Sequence, residues 1–293
     1  MAGCEASVSH LSRIPIPAFD KDEYSNTLRL LIQKRLNTVC LSANCPNRYE
    51  CFAQKTATFM ILGDICTRNC TYCNIACGRP HAVDEDEPKR IREAIDILGI
   101  EHAVITCVTR DDLADGGASQ FVKVITEIKE HTNCVVEVLI SDLRGNWDAL
   151  HDILTAGPDI LNHNIETVPR IFKMVRRGGK YERSLELLQK VREFNSIHGT
   201  SIKIKSGMMV GLGETEEEVY ETQRDILTVG CNMLTIGQYL SPSQNHAKVS
   251  KYYTQKEFDI LGAYAKKQGF TGVSAGIMVR SSYHAKKMAN NTN

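Results

Sequence analysis

Short apolar runs alternate with amphipathic stretches through the middle of the chain, at a steady spacing. Thr58 to Leu62 (Thr-Phe-Met-Ile-Leu) is a short apolar run, the pattern of a fully buried strand. Pro88 then opens a stretch that places Ile91, Ile95 and Leu98 on one helical face. Proline suits the first helical turn, because the N–H it lacks has no partner there. Ala103 to Val108 predicts the next strand, Ala118 to Lys129 a helix, and Val135 to Ile140 a third strand. Trp147 to Ala156 predicts a helix, Ile160 to Ile165 a strand, and Leu185 to Phe194 a helix with Leu185, Leu188 and Val191 on one side. Ile202 to Val210 predicts a strand, and Thr215 with Glu218 three residues on is a capping box for the helix that follows. Met233 to Gly237 and Glu257 to Lys267 complete a sixth unit.

Strands alternating with helices at roughly thirty residues per unit predict a parallel sheet with helices outside. A closed eight-stranded barrel of this kind usually needs about 250 residues. Six units in about 215 residues fit an α/β fold of the open, partial (β/α)6 TIM-like type better. In such folds function gathers on the loops after the strands' C-terminal ends. The first strand delivers the chain straight into a cysteine-bearing loop.

With 293 residues, 42% hydrophobic and 24% charged, the chain is long enough for one large domain with appendages. Its 35 basic and 35 acidic residues cancel, so bulk electrostatics argues for neither nucleic acid nor an anionic membrane surface. A small molecule or a protein partner is expected instead. No apolar run approaches the roughly 18 residues of a membrane span. Asp20, Lys21, Asp22 and Glu23 stand where a signal sequence would be apolar, and a cytoplasmic protein is expected.

Eleven cysteines are many for a reducing compartment, and an odd number suits a disulfide framework poorly. Six of them form two triads: Cys40, Cys45 and Cys51 with C-x4-C-x5-C spacing, then Cys66, Cys70 and Cys73 with C-x3-C-x2-C. Thiolates are soft ligands, suited to iron–sulfur clusters, zinc or copper(I). Three, however, is one short of a closed zinc site or a cubane. Two incomplete triads suggest two clusters, each with one iron open to another ligand. The alternative is a zinc site completed by Cys77 or His81, although zinc motifs rarely carry the three-then-two spacing. Cys107, Cys134 and Cys231 lie in apolar segments and read as small core residues, and Cys4 lies near the N-terminus.

The segment Cys66-Thr67-Arg68-Asn69-Cys70-Thr71-Tyr72-Cys73 resembles the signature of radical S-adenosylmethionine (SAM) enzymes. The resemblance implies that the amino and carboxylate groups of SAM chelate the open iron, and that an electron from the cluster cleaves SAM to methionine and a 5′-deoxyadenosyl radical. Asn162-His163-Asn164-Ile165-Glu166 resembles the motif that holds the ribose, with Asn164 and Glu166 as its binding residues. Two apart on extended chain, their side chains would leave the same face, with His163 lining the site between them. Arg183 resembles the basic residue that pairs with the SAM carboxylate, a task suited to a planar guanidinium. Gly211 and Gly213 in Val210-Gly211-Leu212-Gly213-Glu214 resemble the segment lying along the adenine. A Gly-x-Gly by itself also suits a tight strand-to-helix turn.

Cys40 to Phe52 resembles the auxiliary-cluster motif of lipoyl synthases, and several other segments match that family. They include Arg110 to Ala118, Gly157-Pro158-Asp159, Lys205-Ser206-Gly207, Gly237 to Leu240 and the closing Arg280-Ser281-Ser282-Tyr283. Departures are few: Ala275-Gly276-Ile277-Met278 precedes Val279 where Gly-Pro is common, and Asn74 stands where aspartate is common. The resemblance implies two 4Fe–4S clusters and SAM as cofactors, with Ser282, or failing it Ser281, as fourth ligand of the auxiliary cluster. It also implies insertion of two sulfur atoms at C6 and C8 of an octanoyl-lysine. The partners would be octanoylated carrier domains and an electron donor such as flavodoxin or ferredoxin. Residues 1–55 would then be an extension carrying the auxiliary motif, 56–270 the partial barrel, and 271–293 a closing segment. The alternatives are a biotin-synthase-like sulfur inserter and a non-enzymatic module binding a cluster or zinc.

Overall fold

A computed structural model describes residues 18–290; Cys4 lies outside them. Seven strands form one parallel sheet in simple sequential order: β1 (Thr58–Ile61), β4 (His102–Cys107), β5 (Val135–Leu139), β6 (Ile160–Asn162), β7 (Lys203–Val210), β8 (Met233–Gln238) and β9 (Gly272–Gly276). Two further short strands, β2 (Ile65–Cys66) and β3 (Ala76–Cys77), pair with each other in the loop after β1. Outside the sheet run α4 (Glu87–Leu98), α5 (Ala118–His131), α6 (Trp147–Thr155), α7 (Pro169–Val175), α8 (Tyr181–His198), α9 (Glu216–Thr228) and α10 (Gln255–Gln268). The order is that of a partial βα barrel, left open because β1 and β9 are the two edges.

Local chemistry explains most boundaries. Thr215 and Thr254 each cap a helix with a complete box, using Glu218 and Glu257, which satisfies donors that helix starts leave orphaned. Fully buried Phe59, Phe121, Phe172 and Phe258 pack between sheet and helices, each contributing roughly 1.5–3 kcal/mol.

Three features depart from the expected pattern. The sheet has a seventh strand, β9, inside the segment expected only to close the chain. Gly-Val-Ser-Ala-Gly has no apolar run to announce it; β8 supplies its ladder, and Gly262 of α10 lets Ala275 approach, since a Cβ there would lie 3.1 Å from the alanine's. β6 stops at Asn162, because one extra residue bulges out before Glu166, left-handed at φ 69°, bridges Met208 of β7. Helices α7 and α1 (Lys21–Gln33), and the short turns α2 (Val39–Ser42), α3 (Arg48–Ala53) and α11 (Ala285–Asn290), are additions to the expected elements.

The N-terminal extension is fastened to the first strand. Thr27 Oγ1 donates to the Phe52 carbonyl at 2.8 Å, and Phe19, Tyr24, Tyr49 and Phe52 form a chain of ring contacts. Thr38 bridges Phe59 antiparallel, and the Met60 N–H donates to the Asn37 carbonyl at 2.8 Å. The closing segment meets this extension: Asn47 Nδ2 donates to the Met278 carbonyl at 2.8 Å, and Tyr283 Oη to Glu50 at 2.9 Å.

Candidate active site

Leu62 and Gly63, both at positive φ (70° and 94°), end β1 abruptly and turn the chain into the loop of Cys66, Cys70 and Cys73. That loop is strapped to its neighbours. Thr67 bonds the Thr109 carbonyl through both its N–H (3.0 Å) and its hydroxyl (2.9 Å). The Thr71 N–H reaches the Val175 carbonyl at 2.9 Å, and His246 Nε2 lies 3.1 Å from the Cys73 carbonyl. Arg68 makes a bidentate pair with Asp111 (2.7 and 2.8 Å) and a further bond to Asp142 at 2.6 Å. These contacts fix the backbone while all three thiols stay partly exposed. Burial, and then the neighbouring sulfurs, push Cys73 up to about 12; burial also raises Cys70. The sulfurs therefore need a cation to become thiolates together.

Around this loop the structure brings together Asn164, Glu166 and Tyr72. Asn164 and Tyr72 both hydrogen-bond the Glu166 carboxylate, whose pKa burial nevertheless raises. The two ribose candidates are thus neighbours, but not by strand alternation. Glu166 holds its left-handed turn through its own N–H on the Gly207 carbonyl (3.0 Å) and the Met209 N–H on its carbonyl (2.7 Å). Gly207 lies beneath them: a Cβ there would come within 2.6 Å of Thr235 Oγ1, 2.8 Å of Asn164 Oδ1 and 3.3 Å of Ser281 Oγ.

Arg183 donates to Asp142 Oδ2 at 3.0 Å, and Asp142 in turn accepts from Arg68 of the cysteine loop at 2.6 Å. The guanidinium whose charge acts on both Cys70 and Glu166 is Arg176, which sequence reasoning missed. It is buried, donates to the Asn164 carbonyl at 2.5 Å and lies over the Phe172 ring at 5.3 Å. The signal was the following Gly178-Gly179 pair: a Cβ on Gly179 would press on Arg176 at 3.1 Å, and one on Gly178 on Arg68 at 3.3 Å. His163 does not line the site. It is fully buried, with Nδ1 2.9 Å from the Ile140 carbonyl and Nε2 2.9 Å from Ser184 Oγ. Burial, followed by the charge of Arg176, lowers it to about 3, so it stays neutral. Gly211 and Gly213 both hold φ 107°. The Gly211 and Leu212 N–H groups are bound by Glu214 at 2.5 and 2.9 Å, and a Cβ on Gly211 would run into Gln238. The turn itself demands both glycines.

The second triad lies on the N-terminal turns, with Cys40 buried and Cys45 and Cys51 partly exposed. Burial, then the charges of Cys40 and Cys45, push Cys51 up to about 12; burial raises Cys40 to about 11. The Arg280 to Tyr283 segment meets this triad. Arg280 lies near Cys45, and Tyr283 near Cys51 and Cys45. Arg280 donates only to the Ile277 and Val279 carbonyls; among the described residues no carboxylate pairs with it. Ser282 Oγ accepts from Thr58 Oγ1 at 2.8 Å, and Thr58 lies beside Cys40, whose thiol it favours in the charged form. Ser281 points the other way, to Asn164.

The donor sets fit clusters in kind: soft sulfurs, partly open, mutually repelling without a cation, with an acid-free guanidinium beside one set. Among the described residues, no three Cys, His, Asp or Glu close around a single ion. Cys77 is exposed and in register with Cys66 across the β2–β3 ladder, and Cys134 and Cys231 are buried. A cleft of about 1200 Å³ at the N-terminal ends of β4 to β7, between Glu101, His102, Asp159 and Lys286, touches none of the site residues.

Residues 60–226 match the model of the radical SAM superfamily. The fold agrees. The crystal structure of methylornithine synthase superposes with a TM-score of 0.53 at 16% identity, covering 83% of this chain and 69% of that one. The FeFe-hydrogenase maturase HydG gives 0.56 at 16%, covering 88% and 57%. The chain is therefore a radical SAM enzyme, and that superfamily implies a 4Fe–4S cluster and SAM.

Closer relatives narrow the class. The chain is 53% identical to a lipoyl synthase of Caldanaerobacter subterraneus subsp. tengcongensis, covering 85% of this chain and 87% of the relative. It is 45% identical to one of Halalkalibacterium halodurans, covering 99% and 95%. The chain belongs to the lipoyl synthase family. That membership displaces both the biotin-synthase-like and the non-enzymatic alternatives.

Proposed function

We propose that the chain inserts sulfur at C6 and C8 of an octanoyl group carried on a lysine of a lipoyl-carrier domain, using two 4Fe–4S clusters. Cys66, Cys70 and Cys73 would hold the cluster that takes SAM; Cys40, Cys45, Cys51 and Ser282 would hold the auxiliary one. When bound, these groups supply the electron, the radical that abstracts hydrogen and the sulfur. No general base at neutral pH could deprotonate the unactivated C–H bonds involved. The chain's own residues position and shield: Asn164 and Glu166 for the ribose hydroxyls, Gly211 and Gly213 for the adenine, and a guanidinium for the carboxylate. Arg183 is the residue that motif matching assigns to that last role, and Arg176 is the one whose charge acts on Cys70 and Glu166. Residues 1–55, 56–270 and 271–293 would act as auxiliary extension, partial barrel and closing segment, β9 belonging to the sheet. An electron donor such as flavodoxin or ferredoxin, and a cytoplasmic setting, complete the proposal.

One observation carries it above the others. Adjacent serines of the closing segment face the two cysteine triads' surroundings separately, Ser282 toward Thr58 beside Cys40 and Ser281 toward Asn164. A single short segment therefore touches both half-sites, as a reaction that joins a radical at one to sulfur from the other requires. The test is mass analysis of an octanoyl-lysine peptide incubated anaerobically with reductant and SAM, alongside iron and sulfide content. Two added sulfurs, with about eight irons and eight sulfides per chain, support the assignment. Zinc without sulfide, or SAM cleavage with no sulfur in the peptide, overturns it.

A further inference from the structure

We propose that Thr58 is a positioning residue that holds Ser282 in place as a ligand beside Cys40. The inference rests on reading Cys40, Cys45, Cys51 and Ser282 as the auxiliary ligand set. Thr58 is the first residue of β1 and only 5% exposed, and its backbone is pinned in register with Val104. Its Oγ1 donates to Ser282 Oγ at 2.8 Å across 224 residues of sequence. Its N–H and hydroxyl also face the Cys40 sulfur. Thr58 therefore stands beside the first N-terminal thiol while its hydroxyl proton is committed to the C-terminal serine.

The position is rigid from both sides. The Thr38–Phe59 bridge and the Met60 N–H on the Asn37 carbonyl tie the chain entering Cys40 to the same strand that presents Thr58. A β-branched side chain has few rotamers on a strand, so the hydroxyl is aimed without further loss of freedom. As a ligand, the Ser282 oxygen would be a hard donor at a thiolate-preferring site, and so the one most in need of being held in position. The hydrogen bond from Thr58 at 2.8 Å fixes where that oxygen points. The same contact would keep Ser282 in place whether or not its oxygen were bound to a cluster. Thr58 thus sets how easily the weakest ligand departs.

Valine copies the shape and strand preference of threonine without the hydroxyl. Thr58→Val should keep its SAM cluster yet surrender auxiliary iron to a chelator about tenfold faster than wild type, as losing one charge-assisted hydrogen bond implies. The Mössbauer signature of the auxiliary cluster's serine-ligated iron should change with it, and Thr58→Ser should restore most of both. In a Ser282→Cys background the thiolate needs no donor, so adding Thr58→Val should change the release rate little; this pair also serves if the single valine variant folds poorly. Unchanged release and an unchanged spectrum in Thr58→Val, in protein whose wild type holds two clusters, would overturn the role of Thr58. An equal acceleration in the Ser282→Cys background would assign the effect to packing and overturn it too. Wild type holding only one cluster would instead sink the underlying ligand assignment.

Discussion

Asn164 and Ser281 exchange two hydrogen bonds across 117 residues of sequence: the amide donates to the serine Oγ at 2.9 Å, and the hydroxyl donates back to Oδ1 at 3.1 Å. A residue proposed to hold the ribose of SAM is thereby oriented by the segment that also reaches the N-terminal cysteines. Gly207 leaves the room in which this happens.

From that contact, Ser281→Ala should weaken SAM binding about fivefold, the effect of losing roughly 1 kcal/mol of hydrogen bonding, and leave auxiliary iron intact. Ser282→Ala should do the reverse, lowering iron content with little change in SAM affinity. Equilibrium SAM titration and iron analysis on both variants decide the matter. The opposite pattern would exchange the serines' roles.

The two triads should separate by mutation. Cys66→Ala, Cys70→Ala or Cys73→Ala should abolish SAM cleavage, because the iron that takes SAM is lost with its cluster. Cys40→Ala, Cys45→Ala or Cys51→Ala should still release 5′-deoxyadenosine while adding no sulfur to the octanoyl peptide. Loss of SAM cleavage to the same degree in both sets would refute a division of labour between them.

Much of the barrel was legible because period and capping are local signals: Thr215 with Glu218 foretold α9, and the apolar run at Thr58 foretold β1. What escaped was set by long-range contacts. β9 exists because β8 offers it a ladder, and its own Gly-Val-Ser-Ala-Gly carries no apolar pattern. The cysteine triads were plain from spacing, since ligand type and interval are written in the chain. Arg176 was not, because only folding brings it against Asn164, and Arg183 proved to be paired with Asp142. His163 looked like a site residue by position alone, and its two ring partners, Ile140 and Ser184, lie far off in sequence.

Arg176 and Arg183 should differ in consequence. Arg176→Ala removes the buried cation beside Glu166, so it should cost stability, by about 3–5 kcal/mol if Glu166 stays charged, and abolish SAM binding. Arg183→Ala leaves Asp142 still bonded to Arg68 at 2.6 Å, so it should raise the SAM concentration needed by about tenfold with only a small loss of stability. Thermal melts and direct SAM titration distinguish them. Wild-type SAM affinity in Arg176→Ala would remove that residue from the pocket.

Acid stability should trace to a buried charge network inside the sheet. Glu137 and Lys205 are both fully buried, with Nζ 2.8 Å from Oε1, and His102 Nε2 lies 3.1 Å from Oε2. Burial alone would raise the Glu137 carboxyl, but Lys205 and then His102 outweigh it and hold it at about 2. Unfolded, the same carboxyl titrates near 4.5, so the unfolded chain binds more protons between those values. The stability Glu137 contributes is therefore complete above about pH 4.5 and is lost as pH falls toward about 2. His163 acts in the same direction over a higher window. Burial and the charge of Arg176 hold it at about 3 against 6.5 unfolded, so its neutral native form costs progressively more stability below about pH 6.5. Lys205→Met should lower stability at neutral pH by about 3–5 kcal/mol by leaving Glu137 without its cation. Without Lys205, burial would raise the native Glu137 carboxyl above 4.5, so the variant should gain stability as pH falls toward 4.5 while the wild type loses it below 4.5, and the gap between them should narrow across the whole fall. Urea unfolding of wild type, Lys205→Met and His163→Gln at a series of pH values between 8 and 4, compared as differences so that cluster loss cancels, measures both windows. A gap between Lys205→Met and wild type that stays constant down to pH 4 would show that Glu137 does not titrate as the network requires.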